Sequence, residues 1–169
     1  LEILRKVAWG WSRSRLEDPD SNVFHKAIVR DGAILTIGAE RALLKRWTIA
    51  DGAWASETLY EGSWGGRFDR LRDLEIGDVD GDGVDEYVLA THDQGVVVIL
   101  DPGPEGLVAT EIDRKADTFV HEIELGDLFG DGHPAIAATP SDRNQADRSQ
   151  PGGVVVYRRR GEGWKRIQA

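Results

Sequence analysis

The stretch LEIGDVDGDGVDEYVLA, residues Leu74–Ala90, decides the fold, because an aspartate- and glycine-rich loop separates two short apolar runs. Leucine and isoleucine alternate with glutamate and glycine before the loop, and Tyr87–Ala90 follow it. Runs of this length, with alternation and β-branched residues, are typical of β-strands. The sequence therefore predicts two strands joined by an acidic turn.

The acidic turn has the ligand spacing of a calcium site. Three aspartates occupy its positions 1, 3 and 5, a glutamate occupies position 9, and the carbonyl group at position 7 adds a further oxygen. Calcium takes six to eight oxygen ligands, and the glycines at positions 4 and 6 permit the positive φ of a tight turn. The predicted ligands of one Ca²⁺ are Asp78, Asp80, Asp82, Val84 and Glu86.

Other interpretations of this loop fit less well. An EF-hand begins with the same residues, but it needs glutamate at position 12 and a helix on each side. Position 12 here is Leu89, inside a strand-like run. Mg²⁺ prefers fewer protein ligands and more water. An acidic turn without an ion remains the alternative, although three adjacent carboxylates would repel one another without a cation.

The motif recurs downstream. Ile123–Gly132 repeat Leu74–Gly83 at an offset of 49 residues. The run Gly153–Tyr157 matches Gly95–Ile99 at an offset of 58, so we expect nine additional residues in the later copy. They fall within the polar stretch 140–152, which we predict to be a surface loop.

The second loop has lost two of the ligands. Asp127 and Asp131 keep positions 1 and 5, but Phe129 and Ala135 stand at positions 3 and 9. We therefore predict that this loop keeps the turn and is empty or binds calcium weakly.

The repeats divide the chain into units of about four short antiparallel strands. A degenerate copy spans 22–67, the calcium-binding unit spans 68–117, and the unit with the degenerate loop spans 118–169. Four antiparallel strands per repeat indicate a blade of an all-β, β-propeller-type protein. A small β-sandwich with a repeated hairpin is the alternative.

About three blades are too few to close a propeller ring, which typically has four to eight. We expect further blades elsewhere on the same polypeptide or on a partner chain. The N-terminal segment 1–21 could be part of a neighbouring blade, and its residues 1–16 fit either an amphipathic helix or an outer strand. The chain lacks methionine and begins at Leu1, so we expect a processed chain or part of a longer one.

The acidic loop, followed by an apolar strand and the run Gly95–Val98, resembles an FG-GAP/VCBS repeat. The resemblance is strong over 68–112, good over 118–166 and faint over 22–60. Repeats of this family form β-propeller blades in integrin α-subunits and in bacterial secreted or surface proteins. The resemblance implies calcium in the loop between the first two strands of a blade and an extracytoplasmic location. It implies no single activity, because members adhere, bind sugars or proteins, or catalyse.

Composition and motifs narrow the function. The net charge of −9 argues against a nucleic-acid partner, and no apolar run is long enough for a membrane span. The sequence contains no cysteine, nucleophile elbow or phosphate loop. Three residues are candidates for ligand contact. One is a tryptophan beside glycines, and the other two are expected at the mouth of the central channel that the innermost strands of a propeller line. They are Trp64, Arg72 and His121.

The expected function is a non-catalytic, calcium-stabilised binding or scaffolding module of an extracytoplasmic protein or surface assembly. A protein partner is expected, and a carbohydrate is a further expected ligand. The alternative is part of a calcium-dependent carbohydrate-active enzyme, similar to a polysaccharide lyase, or a sugar-binding propeller.

Overall fold

The structure, a computed structural model, describes residues 1–142 and 152–168, and these form an all-β fold. Residues 143–151, the middle of the predicted surface loop, lie outside this description. No helix long and apolar enough to cross a membrane occurs in the described part of the chain.

Strands β3 to β14 form three four-stranded antiparallel sheets, each a simple meander. The first sheet contains β3 (Phe24–Arg30), β4 (Ala33–Gly38), β5 (Ala42–Ala50) and β6 (Ala53–Gly62). The second contains β7 (Leu71–Gly77), β8 (Glu86–Thr91), β9 (Val97–Gly103) and β10 (Gly106–Asp113). The third contains β11 (Thr118–Gly126), β12 (Ala135–Asp142), β13 (Val155–Arg160) and β14 (Gly163–Gln168).

Tight turns join strands of the first sheet. Asp31 and Gly32 connect β3 to β4 with φ angles of 49° and 73°, and Asp51 and Gly52 connect β5 to β6 with 52° and 79°. Positive φ at both central residues suits the right-handed twist of a hairpin, and Asp-Gly is a favoured pair there. The Asp31-Gly32 turn therefore joins β3 and β4 in a tight hairpin.

The three sheets pack face to face, with the second in the middle. Leu89 and Val98 of the second sheet face the first, whereas Val88 and Ile99 face the third. Successive side chains of a strand point to opposite faces, so a sheet covered on both sides needs apolar residues at every position. This explains the unbroken apolar run Val96–Leu100. The described sheets do not form a closed ring.

The structure corrects the alignment of the third strands. Tyr87 pairs with Leu100 in the second sheet, and its counterpart Ile136 pairs with Tyr157 in the third. Leu100 therefore corresponds to Tyr157, at an offset of 57 rather than 58. The error arose because both runs are Gly-Val-Val-Val, and a shift of one residue is invisible in such a run although it exchanges the two faces.

The predicted loop 140–152 is shorter than expected on its N-terminal side. Strand β12 continues to Asp142 and pairs with the beginning of β11, and Ser141 forms a β-bridge with Gly152. Polar composition suggested a loop there, but ladder pairing to β11 extends the strand.

The N-terminal segment forms a two-stranded hairpin of β1 (Glu2–Val7) and β2 (Gly10–Arg15). Of the two structures that the sequence allowed for residues 1–16, a helix or a strand, the strand is the one present. Leu1, Ile3 and Leu16 pack against the first sheet beside Trp47. The rest of the hairpin is exposed, and Trp9 at its tip has 98% of its surface accessible.

Candidate metal centre

The acidic loop is anchored by its two flanking strands. Gly77, the last residue of β7, pairs with Glu86, the first residue of β8. Between them, Gly81 and Gly83 have φ angles of 83° and 89°, which L-residues with a side chain rarely adopt. The loop can therefore turn tightly without strain at these two positions.

The aspartates shape the turn through backbone hydrogen bonds. Asp78 accepts from Gly81 N through Oδ1 at 2.6 Å and from Gly83 N through Oδ2 at 3.0 Å. Asp80 Oδ1 accepts from Asp82 N at 3.0 Å, and Asp82 Oδ1 accepts from Val84 N at 2.7 Å. Side-chain bonds of this kind replace ladder bonds where the strand pairing stops.

Three of the predicted ligands are brought together. Carboxylate oxygens of Asp78, Asp80 and Glu86 all lie within 4.8 Å of one another. Two oxygens that share one calcium at 2.3–2.6 Å can be at most about 5 Å apart, so this spacing fits a single Ca²⁺. Asp82 lies outside this group among the described residues, and Val84 is exposed. The carbonyl of Val84 remains a predicted ligand.

Glu86 is the unusual member of the group because only 2% of it is exposed. Its Oε2 accepts a hydrogen bond from Val79 N at 2.8 Å. Burial raises the pKa of Glu86, and the charges of Asp82, Asp101 and Asp78 raise it further. The pKa of Asp101 on β9 is also raised, first by burial and then by Asp82. A buried carboxylate among other carboxylates is an arrangement that a divalent cation would stabilise.

Each neighbouring sheet contributes an arginine to this loop. Arg159 of β13 pairs with Asp80, with 2.8 Å between Nη1 and Oδ2. Arg30 at the end of β3 pairs with Asp85. Sequence reasoning missed both contacts. The cluster Arg158–Arg160 was visible as the one basic run, but nothing in the sequence indicated that it reaches a loop of the preceding repeat.

The second loop forms the same kind of turn, but a different arginine, Arg158, pairs with one of its aspartates. Asp127 accepts from Asp131 N at 3.0 Å and from Gly132 N at 2.9 Å. Asp131 pairs with Arg158, whose guanidinium lies 4.2 Å from the centre of the Phe129 ring. The Arg158 guanidinium is the main reason that the pKa of Asp131 is below its usual range.

The three candidate ligand-contact residues have different positions. Trp64 is half-buried, with its ring over Gly62 and 6.2 Å from the Tyr60 ring, so it is not the exposed platform expected from its glycine-rich surroundings. Arg72 and His121 come together, with 3.5 Å between Nη2 and Nδ1. His121 Nε2 lies 2.7 Å from the hydroxyl of Ser141.

Comparison of the chain with protein-family models, with curated proteins and with solved structures finds no match.

Proposed function

We propose that the protein is a non-catalytic, calcium-stabilised binding or scaffolding module with propeller-type blades. Its one calcium site consists of Asp78, Asp80, Asp82, Glu86 and the carbonyl of Val84. The observation that carries this proposal is the convergence of three carboxylates within 4.8 Å, one of them buried. The sequence resemblance to FG-GAP/VCBS repeats also supports it, because three of the five residues that the resemblance implies as ligands are the ones that converge.

The ion's role in this proposal is structural. Asp80 and Asp85 already link the loop to the neighbouring sheets through Arg159 and Arg30. A cation that orders the loop would also hold the link through Asp85 in place, whereas at Asp80 it would compete with Arg159. Because the ion binds the folded loop and not the unfolded chain, it adds to the free energy of unfolding according to its concentration and affinity. An extracytoplasmic location, where calcium is abundant, suits such a site.

The proposed partner is a further sheet of the same kind, from this polypeptide or from a partner chain. Val79 at position 2 of the first loop is buried under the third sheet, with 1% exposed. Its counterpart Leu128 in the third sheet is 63% exposed. The hairpin β1–β2 likewise packs on the first sheet with two strands where the other sheets have four. Both ends of the row are thus suited to an additional sheet.

A calcium titration followed by thermal melting tests the proposal. We expect calcium to raise the melting temperature of the wild type, and Asp80→Ala to abolish this rise. At a calcium concentration 100 times the Kd, the expected stabilisation is about 2.7 kcal/mol.

The matched control is Asp127→Asn in the second loop. It should lower the melting temperature because Asp127 holds its own turn, yet leave the calcium-dependent rise intact. A melting temperature independent of calcium in the wild type would reject the site. Equal loss of the calcium effect in both variants would show that the effect is not specific to the first loop.

A second candidate is a sugar-active enzyme or sugar-binding propeller that depends on calcium. The contact between Arg72 and His121 favours it, since both were expected at a channel mouth. Saturable binding to neutral and acidic oligosaccharides, lost in His121→Ala, would support this candidate over a purely structural module.

A further inference from the structure

One end of the sheet row carries a cluster of arginine, histidine and aromatic residues that the calcium site does not involve. Its members come from β3, from β7 and the residues before it, from the turn after β8, and from β11. The calcium loop follows the last residue of β7, whereas the cluster surrounds the beginning of that strand. The members are His25, Arg67, Phe68, Arg70, Arg72, His92, Phe119 and His121.

The first strands of all three sheets have a β-bulge at the same place. The pairing shifts between Phe24 and Lys26 in β3, between Leu71 and Asp73 in β7, and between Val120 and Ile123 in β11. The residues within these bulges include His25, Arg72 and His121. An extra residue in a bulge is released from the ladder and its side chain is redirected, which is why bulges often occur beside functional sites. The repeat therefore presents a cationic or imidazole side chain three times at equivalent positions.

The side chains form a continuous row. Arg70 lies 4.2 Å from the centre of the Phe68 ring, and Phe68 contacts His92 at 5.5 Å between ring centres. His92 lies 4.4 Å from Phe119, which contacts His121 at 6.1 Å. Arg72 then reaches His121. Aromatic rings thus separate and support the nitrogen-bearing groups.

Beside the buried Asp93, whose Oδ1 also lacks a hydrogen-bond partner, four nitrogens of the cluster are buried without one. They are His25 Nε2, Arg70 Nε, Arg72 Nε and His92 Nδ1. Buried polar atoms are nearly always paired, so four in one cluster need an explanation. The side chains of Arg67, Arg70 and Arg72 form no ion pair in the described part of the chain, and the buried carboxylate of Asp93 accepts hydrogen bonds from the backbone N–H groups of Arg67 and Phe68 instead. The charge of Asp93 acts to raise the pKa of His92 and that of Glu122 acts to raise the pKa of His121, in both cases against the larger opposite effect of burial.

The charge of the arginines helps to lower the pKa values of the three histidines. The pKa of His92 is lowered to about 4, first by burial and then by Arg70 and Arg72. The pKa values of His25 and His121 are also lowered, again by burial and by Arg72. At neutral pH the cluster therefore contains three guanidinium groups beside neutral imidazoles and the buried carboxylate of Asp93, so its positive charges outnumber this negative one. Because His121 and Phe68 are exposed and Arg70 and Arg72 are half-buried, solvent reaches the cluster.

We propose that the beginnings of β3, β7 and β11 form a binding site for an oxyanion, held by the guanidinium groups of Arg70 and Arg72 and flanked by His25 and His121. Guanidinium groups match the geometry of carboxylate and phosphate oxygens, and the phenylalanine rings exclude water from one side. The site adds a ligand class to the module and does not depend on the calcium loop.

Nuclear magnetic resonance of the imidazole C–H groups tests the site, with sodium acetate and sodium phosphate as probes and sodium chloride at equal ionic strength as reference. We expect saturable shifts of His25, His92 and His121 with a Kd of roughly 1 mM for the preferred anion. The pKa of His92 should rise from about 4 when the anion is bound. His133 in the second loop is the internal control and should not respond. Stronger binding of acetate or of phosphate identifies the class of oxyanion.

Arg72→Gln should weaken the affinity at least about tenfold, the loss expected for one charge-assisted hydrogen bond. Arg70→Gln should act in the same direction, which keeps the test decisive if one variant does not fold. Arg13→Gln on the exposed hairpin is the matched control and should bind like the wild type. Shifts that chloride reproduces, or an unchanged affinity in a folded Arg72→Gln or Arg70→Gln variant, would overturn the proposal.

Discussion

The loops of the second and third sheets share one turn but neutralise their aspartates differently. In both, the first aspartate accepts two backbone hydrogen bonds, and the residue at position 5 accepts one from position 7. In the second-sheet loop, Asp80 and Glu86 add two carboxylates, one of them buried. In the third-sheet loop, Phe129 stands at position 3 and an arginine pairs with Asp131. The turn therefore forms with either set of residues. In both loops an arginine of β13 pairs with one aspartate, so the carboxylates at positions 3 and 9 are what distinguish the candidate metal site.

The largest expected difference between the loops concerns position 2. Val79→Asp places a charge where only 1% of the side chain is exposed, so we expect the free energy of unfolding to fall by about 4 kcal/mol. Leu128→Asp, at the 63% exposed counterpart, should change it by less than about 0.5 kcal/mol. Urea denaturation of both variants measures this. A comparable loss for Leu128→Asp would mean that the outer face of the third sheet is covered in solution.

A gain of calcium binding in the second loop would be the next largest effect. Phe129→Asp combined with Ala135→Glu restores the carboxylates at positions 3 and 9. We expect the calcium stoichiometry to rise from one to two, with a further stabilisation of about 2.7 kcal/mol at 100 times the new Kd. Isothermal titration calorimetry measures both.

The uncharged pair Phe129→Asn with Ala135→Gln controls for the change in shape and should keep one site. If the carboxylate variant also keeps one site, positions 3 and 9 are not sufficient to explain the difference between the loops.

The two loops should respond to pH with opposite signs in calcium-free buffer. The folded state raises the pKa of Glu86 above its usual value of 4.5, so the protonated side chain favours folding and stability decreases as pH rises above 4.5. Asp131 has a folded-state pKa below its usual value of 3.8, so its contribution to stability is present above that pH and is lost as pH falls below it.

Melting curves at a series of pH values separate the two contributions. Relative to the wild type, Glu86→Gln should become more favourable as pH rises above about 4.5. Asp131→Asn should become less favourable as pH rises toward about 3.8, and its difference from the wild type should then stay constant. Slopes of the same sign for the two variants would contradict the assignment of opposite pKa shifts.

The smallest expected effects come from the two arginines. Arg159 and calcium compete for Asp80, so Arg159→Gln should strengthen calcium binding by about threefold, in keeping with a partly exposed ion pair. Arg158→Gln should leave the calcium affinity unchanged and lower stability by less than about 1 kcal/mol. Calorimetry of both variants tests this prediction. Equal effects of the two substitutions on calcium affinity would show that Arg159 does not compete with calcium more than Arg158 does.

Local patterns predicted much of the fold. The acidic loop between two apolar runs predicted the hairpin β7–β8, because aspartate and glycine specify the turn and alternation specifies the strands. The same reasoning predicted the all-β class and the repeated four-stranded sheets. It failed at the third strands, where a run of valines gives no sign of which face each residue occupies.

The contacts between repeats could not be predicted. Arg159 reaches Asp80 only because the third sheet packs on the second in one register, and register is a property of two elements together. The bulges that present His25, Arg72 and His121 likewise arise from the pairing of two strands of unequal length. The sequence placed Arg72 and His121 together at an expected channel mouth, but His25 and His92 gave no sequence signal.

Anomalous diffraction from a crystal grown in calcium chloride tests the difference between the loops most directly. The expected result is one calcium peak between the carboxylates of Asp78, Asp80 and Glu86 and no peak beside Asp127 and Asp131. Absence of a peak at the first loop, or peaks of equal height at both loops, would contradict the account.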